Sequence, residues 1–361
     1  MILRHNIMNK KFIDISSVCV LILYLFLVAR MFRNNIPLYI LVLFFSVINI
    51  TIVLSGHELG HLFFGKIFGF KLSSISFCGA EYNGYLKKWS YDFKQRKENH
   101  CLMNPKSDSS NTHIYLYLLG GIISNILLII ICILLFLKNT NLILRAFLFN
   151  NIFINTVNLI NTVFPVRDVE FLSDSDIIWY IHKEKIQLEF LKKQLKISHS
   201  IEFNKTIGES SYINMENVKY ENMLTFFCRY SNYYLAIKNN DLNEAYNIMQ
   251  KLYNNINYYS LNERKQLLLE ELFISSVLKK ETDINTLIKK IKNELYDKES
   301  FDYIRTMYVY SKNIKMISDY DNPYYYRYKR FNFTSANEYV DAVHTLICTL
   351  FLPNDSDSTI L

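Results

Sequence analysis

Glycine and proline are scarce in this chain of 361 residues, which has nine Gly and five Pro. With half of the residues hydrophobic, that scarcity excludes the collagen-like, low-complexity and disordered classes. Paired cysteines are also missing. The six cysteines, at 19, 78, 101, 132, 228 and 348, contain no C-x-x-C pair and follow no regular spacing. Neither a disulfide framework nor a zinc knuckle fits them, and reduced, mostly buried thiols are expected. The third shortage is of acidic residues, and only in one half. Residues 1–174 carry 16 Lys+Arg against 9 Asp+Glu, the whole of the net +7, whereas residues 175–361 carry 24 of each. A mean hydropathy of +0.06 therefore averages two unlike regions. The length suits two or three domains with a sizeable core.

The first half instead has long uncharged apolar runs. Four segments approach the roughly 20 apolar residues that cross a hydrocarbon core of about 30 Å. They run from about Ile15 to Ala29, Ile36 to Phe64, His113 to Leu137 and Ala146 to Phe164. The first follows Arg4, Lys10 and Lys11 as a signal peptide would, but no small-x-small cleavage site comes after it, so an uncleaved span is expected. With four spans, the N-terminus, the 71–112 loop and the C-terminal half lie on one side. That side holds Arg4, Lys10, Lys11, Lys71, Lys87, Lys88, Lys94, Arg96, Lys97 and Lys106; the other holds Arg30, Arg33, Lys138 and Arg145. The positive-inside rule predicts a multi-pass cell-membrane protein with both termini in the cytoplasm. Topology then accounts for the excess basic charge, and no nucleic-acid partner is expected.

Near the cytoplasmic end of the second span stands His57-Glu58-Leu59-Gly60-His61. Helical spacing of i and i+4 puts both imidazoles on one face, where they can chelate one metal ion with Glu58 beside them. In a soluble charged helix the same pattern is a solvated face. Here three ionisable groups interrupt an otherwise uncharged apolar helix, where such groups default to a functional reading. Neutral imidazoles suit zinc, and the carboxylate suits proton transfer between a metal-bound water and a leaving amine. A catalytic zinc takes three protein ligands. Asp168, Glu170, Asp174 and Asp176 all follow the fourth span, and spacing does not choose among them.

Several motifs in order resemble the site-2 protease family of intramembrane zinc metalloproteases, in a branch common in Gram-positive bacteria. HELGHLFFGKIFGFK at 57–71 is similar to the zinc helix, CLMNP at 101–105 to a short motif before the next span, and GGIISN at 120–125 to the Gly-rich, Asn-containing core helix. Asn161 and Pro165, followed by Ser173-Asp174, resemble the Asn…Pro…Asp-Gly element. The resemblance covers about residues 50–185. It implies that His57, His61 and Asp174 bind Zn2+, that Glu58 is the general acid/base, and that Asn125 and Asn161 contact substrate or an oxyanion. Two departures stand out: Ser175 replaces the usual Gly, and Asn161 lies one residue further from Pro165 than usual. The first removes an easy positive-φ position, which leaves Asp176 as the alternative ligand.

Elsewhere in the spans, Gly120 and Gly121 suit close helix approach. Asn150, Asn151, Asn155, Asn158 and Asn161 recur through the fourth span, Asn151, Asn155 and Asn158 sharing a face, as interhelical hydrogen-bond formers or as a hydrated path to the metal. Alternation around Cys78-Gly79 predicts a short hairpin at the membrane surface, whose edge could take an extended substrate by strand addition. His5, His100, His113 and Cys101 have no partner for chemistry and are expected at the interface or in packing. From Ile177 the pattern is helical, with Leu188, Leu191 and Leu195 at helical spacing. Residues 233–253 read as a helix–turn–helix turning at Asn239-Asn240-Asp241, similar to one tetratricopeptide unit. Weaker helical stretches follow at 261–280 and 283–296, and the tyrosines at 303, 308, 310 and 324–326 are expected in the core.

The expected fold is mainly α: a polytopic membrane protein of about four transmembrane helices with a small hairpin loop and a soluble C-terminal helical domain. Its divisions are 1–35 (tail and first span), 36–176 (membrane core, including the 71–112 loop), 177–352 (cytoplasmic helical domain) and 353–361 (tail). The expected activity is hydrolysis of a peptide bond in a membrane-embedded or membrane-proximal substrate. The expected partners are that substrate, the bilayer and a protein bound by the helical domain. The alternative is a catalytically inactive membrane binding or accessory protein, for peptide immunity or transport, that keeps a relic metal site.

Overall fold

The computed structural model describes residues 22–24, 26, 28, 30, 36–91, 99–106, 109–164, 173–202, 212–215, 218–280, 284–293, 296–298, 300–318, 321–329 and 338–351. The first expected span, Pro165, Asp168, Glu170 and the 353–361 tail fall wholly or mainly outside these residues. The chain divides into two compact units, Met1–Lys205 and Thr206–Leu361.

The first unit is built on three helices: α1 (Ile36–Ile67), α2 (Asn111–Lys138) and α3 (Leu142–Val163). Each begins without an acidic residue, and Ser110 and Asn141 cap α2 and α3 by accepting from backbone N–H groups. All three are long and apolar enough to cross a membrane, over Ile40–Ile67, Asn111–Lys138 and Leu142–Val163. Their burial pattern is inverted relative to a water-soluble bundle. Phe44, Val47, Phe63, Leu127, Leu134 and Leu137 are exposed, while Asn49, Asn125, Asn150, Asn151 and Asn155 are buried. This is the pattern expected of helices in lipid, where apolar side chains face outward and amides must find partners on neighbouring helices. Asn150 Nδ2 donates to the Val42 carbonyl and Ser46 Oγ, each at 2.8 Å. Asn151 Nδ2 donates to Asn49 Oδ1 at 2.9 Å, and Asn49 Nδ2 to the Phe147 carbonyl at 3.2 Å. These asparagines therefore hold helices together, and the unit is membrane-associated.

Gly60 and Gly120 bring α1 and α2 into backbone contact: a Cβ on either would overlap the other residue's carbonyl. Tyr24 and Val28, from helical residues ahead of α1, pack on Val42 and Ala146.

Between α1 and α2 the chain forms β1 (Lys71–Phe77), β2 (Ala80–Asn83), β3 (Lys88–Tyr91) and β4 (His100–Asn104), an antiparallel sheet in the order β3-β2-β1-β4. The expected hairpin is its centre. Cys78 (φ 47) and Gly79 (φ 90) make the two-residue turn between β1 and β2, both in the left-handed region that such turns favour. The sheet is two-faced. Ile75, Tyr82, Trp89 and Cys101 align across one face, and Ser76, Glu81, Ser90 and His100 across the other. Strand β1 folds back along α1, so that Cys78 Sγ lies 3.8 Å from Thr51 Oγ1. Thr51 precedes His57 by six residues, or about 9 Å of helix rise.

Two further helices, α4 (Asp174–Lys183) and α5 (Ile186–Glu202), belong to this first unit. Leu188, Leu191 and Leu195 form the buried side of α5, and His199 Nδ1 is hydrogen-bonded to Ser73 Oγ of β1 at 2.7 Å.

The second unit is helical: α6 (Met223–Lys238), α7 (Leu242–Asn254), α8 (Leu261–Val277), α9 (Ile284–Asn293), α10 (Phe301–Asn313), α11 (Pro323–Lys329) and α12 (Glu338–Phe351). The helix–turn–helix expected at 233–253 is α6–α7. Asn240 turns with φ 57, Asp241 caps α7 by accepting from Glu244 N–H, and Ala245 is fully buried. Tyr308 joins the main core and Tyr310 a second cluster, as expected for the C-terminal tyrosines. Deep in this unit Arg305 pairs with Glu270, which also accepts from Tyr230 and Tyr233.

Candidate metal centre

Helical spacing in α1 sets His57 and His61 edge to face, with ring centroids 4.9 Å apart. The third member arrives from α4. Ser173 and Asp176 form a capping box that starts this helix: Ser173 Oγ accepts from Asp176 N–H, and Asp176 Oδ2 accepts from the Ser173 N–H at 3.0 Å and its hydroxyl at 2.7 Å. That start places Asp174, the first residue of α4, against the two histidines. Asp176 is spent on the cap. Ser175 is an ordinary helical residue outside the positive-φ region, so the Gly expected there is not required by this backbone.

Three atoms converge. His57 Nε2 lies 3.1 Å from Asp174 Oδ2, His61 Nε2 lies 3.2 Å from the same oxygen, and the two Nε2 atoms are 3.3 Å apart. A tetrahedral ion with bonds of 2.0–2.1 Å would have ligand–ligand edges of about 3.3–3.4 Å. The triangle is one face of such a tetrahedron, and its N, N, O donor set suits an ion of that kind.

Electrostatics points the same way. His61 Nδ1 is 2.7 Å from the Tyr117 carbonyl, which can only accept, so Nδ1 carries a proton. In the neutral ring Nε2 is then a lone pair facing a carboxylate oxygen, an arrangement that is completed either by a cation or by a proton on Nε2. Burial alone would push the Asp174 carboxyl up, but the protonated imidazoles, by charge and by hydrogen bonds, outweigh it and hold the group well below the usual carboxylate range, so a positive charge in this triangle is favourable whether a proton or an ion carries it. Among the described residues, His57, His61 and Asp174 are a group able to hold a metal ion.

Glu58 sits beside this group, 9% exposed, with no hydrogen bond or ion pair among the described residues. Among the described residues, no hydrogen bond ties the carboxylate to a structural role, and His57, His61 and Asp174 are the charged groups nearest to it. Asn125 is also at the centre, but its amide Nδ2 is 3.1 Å from His57 Nδ1, the nitrogen that points away from the triangle. Asn161 is exposed on α3 and makes none of these contacts. The other candidates for packing behave as expected. His100 meets Ser74 Oγ at 3.1 Å, His113 stacks on Phe68 at 4.5 Å, and burial pushes the Cys101 thiol up, away from the reactive thiolate. Among the described residues the five cysteines are free.

Two contributors act in ways that the sequence reading did not assign to them. Tyr117 acts through its backbone, which no side-chain pattern reveals. Gly121 lies under the His57 ring, where a Cβ would stand 2.6 Å from Nδ1 and closer to the rest of the ring edge. The spacing Tyr117, Gly121, Asn125 is i, i+4, i+8 on one face of α2, a pattern that becomes readable only once the histidines are known to face it.

Comparison with protein-family models, with curated proteins and with solved structures finds no match.

Proposed function

We propose that this protein is an intramembrane zinc metalloendopeptidase, which cuts a membrane-embedded or membrane-proximal peptide near the cytoplasmic face. The observation that carries the reading is the triangle of His57 Nε2, His61 Nε2 and Asp174 Oδ2 at the end of an apolar helix, with an uncommitted Glu58 beside it. The motif order resembling site-2 proteases supports it. In this reading α1, α2 and α3 cross the bilayer together with the segment near 15–29, and both termini are cytoplasmic.

Zinc, when bound, supplies Lewis acidity toward a water molecule and the scissile carbonyl. His57 and His61 hold the ion through Nε2, and Asp174 contributes one oxygen and a compensating negative charge. Glu58 accepts a proton from the attacking water and returns it to the leaving amine. The exposed edge of β3, Lys88–Tyr91, offers backbone groups to an extended substrate, which would be drawn out of a helix before cleavage. The α6–α7 pair resembles a tetratricopeptide unit and is the candidate surface for a protein partner.

The test compares wild type with Glu58→Gln in liposomes containing a model transmembrane peptide, with zinc content measured in both. The expected result is one zinc per chain in each and peptide release by wild type alone. Release by both, or by neither with zinc present, would favour the non-catalytic binder. Asp174→Ala should lose stoichiometric zinc while Asp176→Ala and Asp168→Ala keep it; retention by Asp174→Ala sinks the ligand assignment.

A further inference from the structure

The face of α2 turned toward α1 touches both histidines on the nitrogen that does not enter the triangle. Tyr117 meets His61 Nδ1 with a carbonyl, and Asn125 meets His57 Nδ1 with an amide at 3.1 Å. Gly121, between them, leaves the space that the His57 ring occupies. One helix row therefore fixes the outer edge of both rings. The two contacts differ in kind. A carbonyl dictates a proton on His61 Nδ1, whereas an amide can meet His57 Nδ1 as donor or, after a half turn of its terminal bond, as acceptor.

A neutral imidazole carries one proton. If His57 Nε2 is to face a cation as a lone pair, that proton is on Nδ1 and needs an acceptor. Asn125 is fully buried, and its Oδ1 has no partner among the described residues. Its backbone is held in place, because Asn155 Nδ2 donates to the Asn125 carbonyl at 3.2 Å. An oxygen that gains nothing where it lies can serve His57 by exchanging places with the amide nitrogen.

We infer that Asn125 is a positioning residue of the metal centre: its Oδ1 accepts the His57 Nδ1 proton and so presents the His57 Nε2 lone pair to the ion. The inference rests on the proposed metal site and replaces the substrate or oxyanion role that the motif resemblance implies for this residue. Partners of this kind fix ring orientation and raise ligand basicity, and their loss typically weakens metal binding about 10–100-fold. The amide adds reversibility. Without the ion, the same side chain donates to Nδ1 and leaves the Nε2 proton for Asp174, so the apo arrangement is also fully bonded at His57.

The experiment is a chelator-competition titration of zinc on the full chain in detergent, for wild type, Asn125→Leu, Asn125→Asp and Asn150→Leu. Asn125→Leu has no acceptor and should bind zinc about 10–100-fold more weakly. Asn125→Asp keeps an acceptor and should recover most of that loss. Asn150→Leu removes a buried interhelical amide remote from the histidines and should bind like wild type, which controls for general damage to the bundle. In the nitrogen NMR spectrum of the zinc-loaded wild type, His57 should carry its proton on Nδ1. Wild-type affinity in Asn125→Leu, an equal loss in Asn125→Asp, or a His57 Nε2 proton in the loaded protein overturns the inference. Failure of wild type to bind zinc would instead overturn the metal reading beneath it, and this inference with it.

Discussion

Each unit of the molecule buries a charged cluster, and the two are opposites in how their valences are filled. In the second unit, Glu270 Oε1 accepts from Arg305 and from Tyr230, Glu270 Oε2 accepts from Tyr233 at 2.9 Å, and Arg305 also reaches Asp302 at 3.1 Å. Donors and acceptors alternate, and opposite charges touch. In the first unit, two imidazole Nε2 atoms and a carboxylate oxygen face one another at 3.1–3.3 Å, a group that ring protons or a single cation can complete. Burial alone does not separate them, since Glu270, Arg305, His57, His61 and Asp174 are all largely out of solvent. The balance of donors against acceptors does. A cluster whose opposite charges meet is closed by its own members, whereas two imidazole nitrogens around one carboxylate oxygen also form a group able to hold a cation.

The largest expected effect breaks the self-contained cluster. Arg305→Ala leaves Glu270 charged and buried without its counter-ion, and should destabilise the second unit by about 3–5 kcal/mol in denaturant unfolding. A loss below about 1 kcal/mol would mean that the cluster is not closed as described. The next concerns Glu271, the imperfect neighbour of that cluster. It accepts from Ser275 and Gln250 on Oε1, while Oε2 is buried without a partner among the described residues. Burial pushes its carboxyl up to about 7 against the pull of those two hydrogen bonds. A carboxyl whose value is raised by folding stabilises the fold fully below its ordinary value near 4.5 and loses that contribution as pH rises through about 7. The second unit should therefore lose about 3 kcal/mol between those limits. Glu271→Gln should flatten the profile; an unchanged slope would assign it to another group. The smallest effect sharpens the other side of the comparison. Gly121→Ala should push the His57 ring off its seat and weaken zinc binding about 10-fold. Gly56→Ala, whose Cβ would make an ordinary contact with Leu128 at 3.8 Å, should leave binding unchanged.

The histidine pair was legible because a four-residue spacing in a helix is a geometric statement, and because charge inside an apolar run is costly unless a site makes use of it. Asp174 was not legible from spacing. It comes from a distant segment, and proximity in sequence to a helix end does not say which carboxylate turns inward. One local signal was available: Ser173-x-x-Asp176 is a capping-box pattern, which assigns Asp176 to the helix start and leaves Asp174 free. The sheet was read as one hairpin, since β3 and β4 are short and β3 alternates lysine and serine with exposed aromatics. The leucine periodicity at 188, 191 and 195 identified a buried helix face. What it packs against, the sheet of the first unit, is tertiary information that periodicity does not contain. Asn161 was chosen by motif position, and the turn of α3 leaves it on the outside.

The crossing of α1 and α2 at Gly60 and Gly120 limits how this bundle can open. Helices that meet backbone to backbone have no layer of side chains to yield, so they separate all at once or not at all. A parting at that seam would also pull His61 from Tyr117 and His57 from Asn125, removing the second contact of each ring. In the proposed reading, a peptide would therefore enter by the other flank of α1, where the β1–β2 turn reaches down to Thr51.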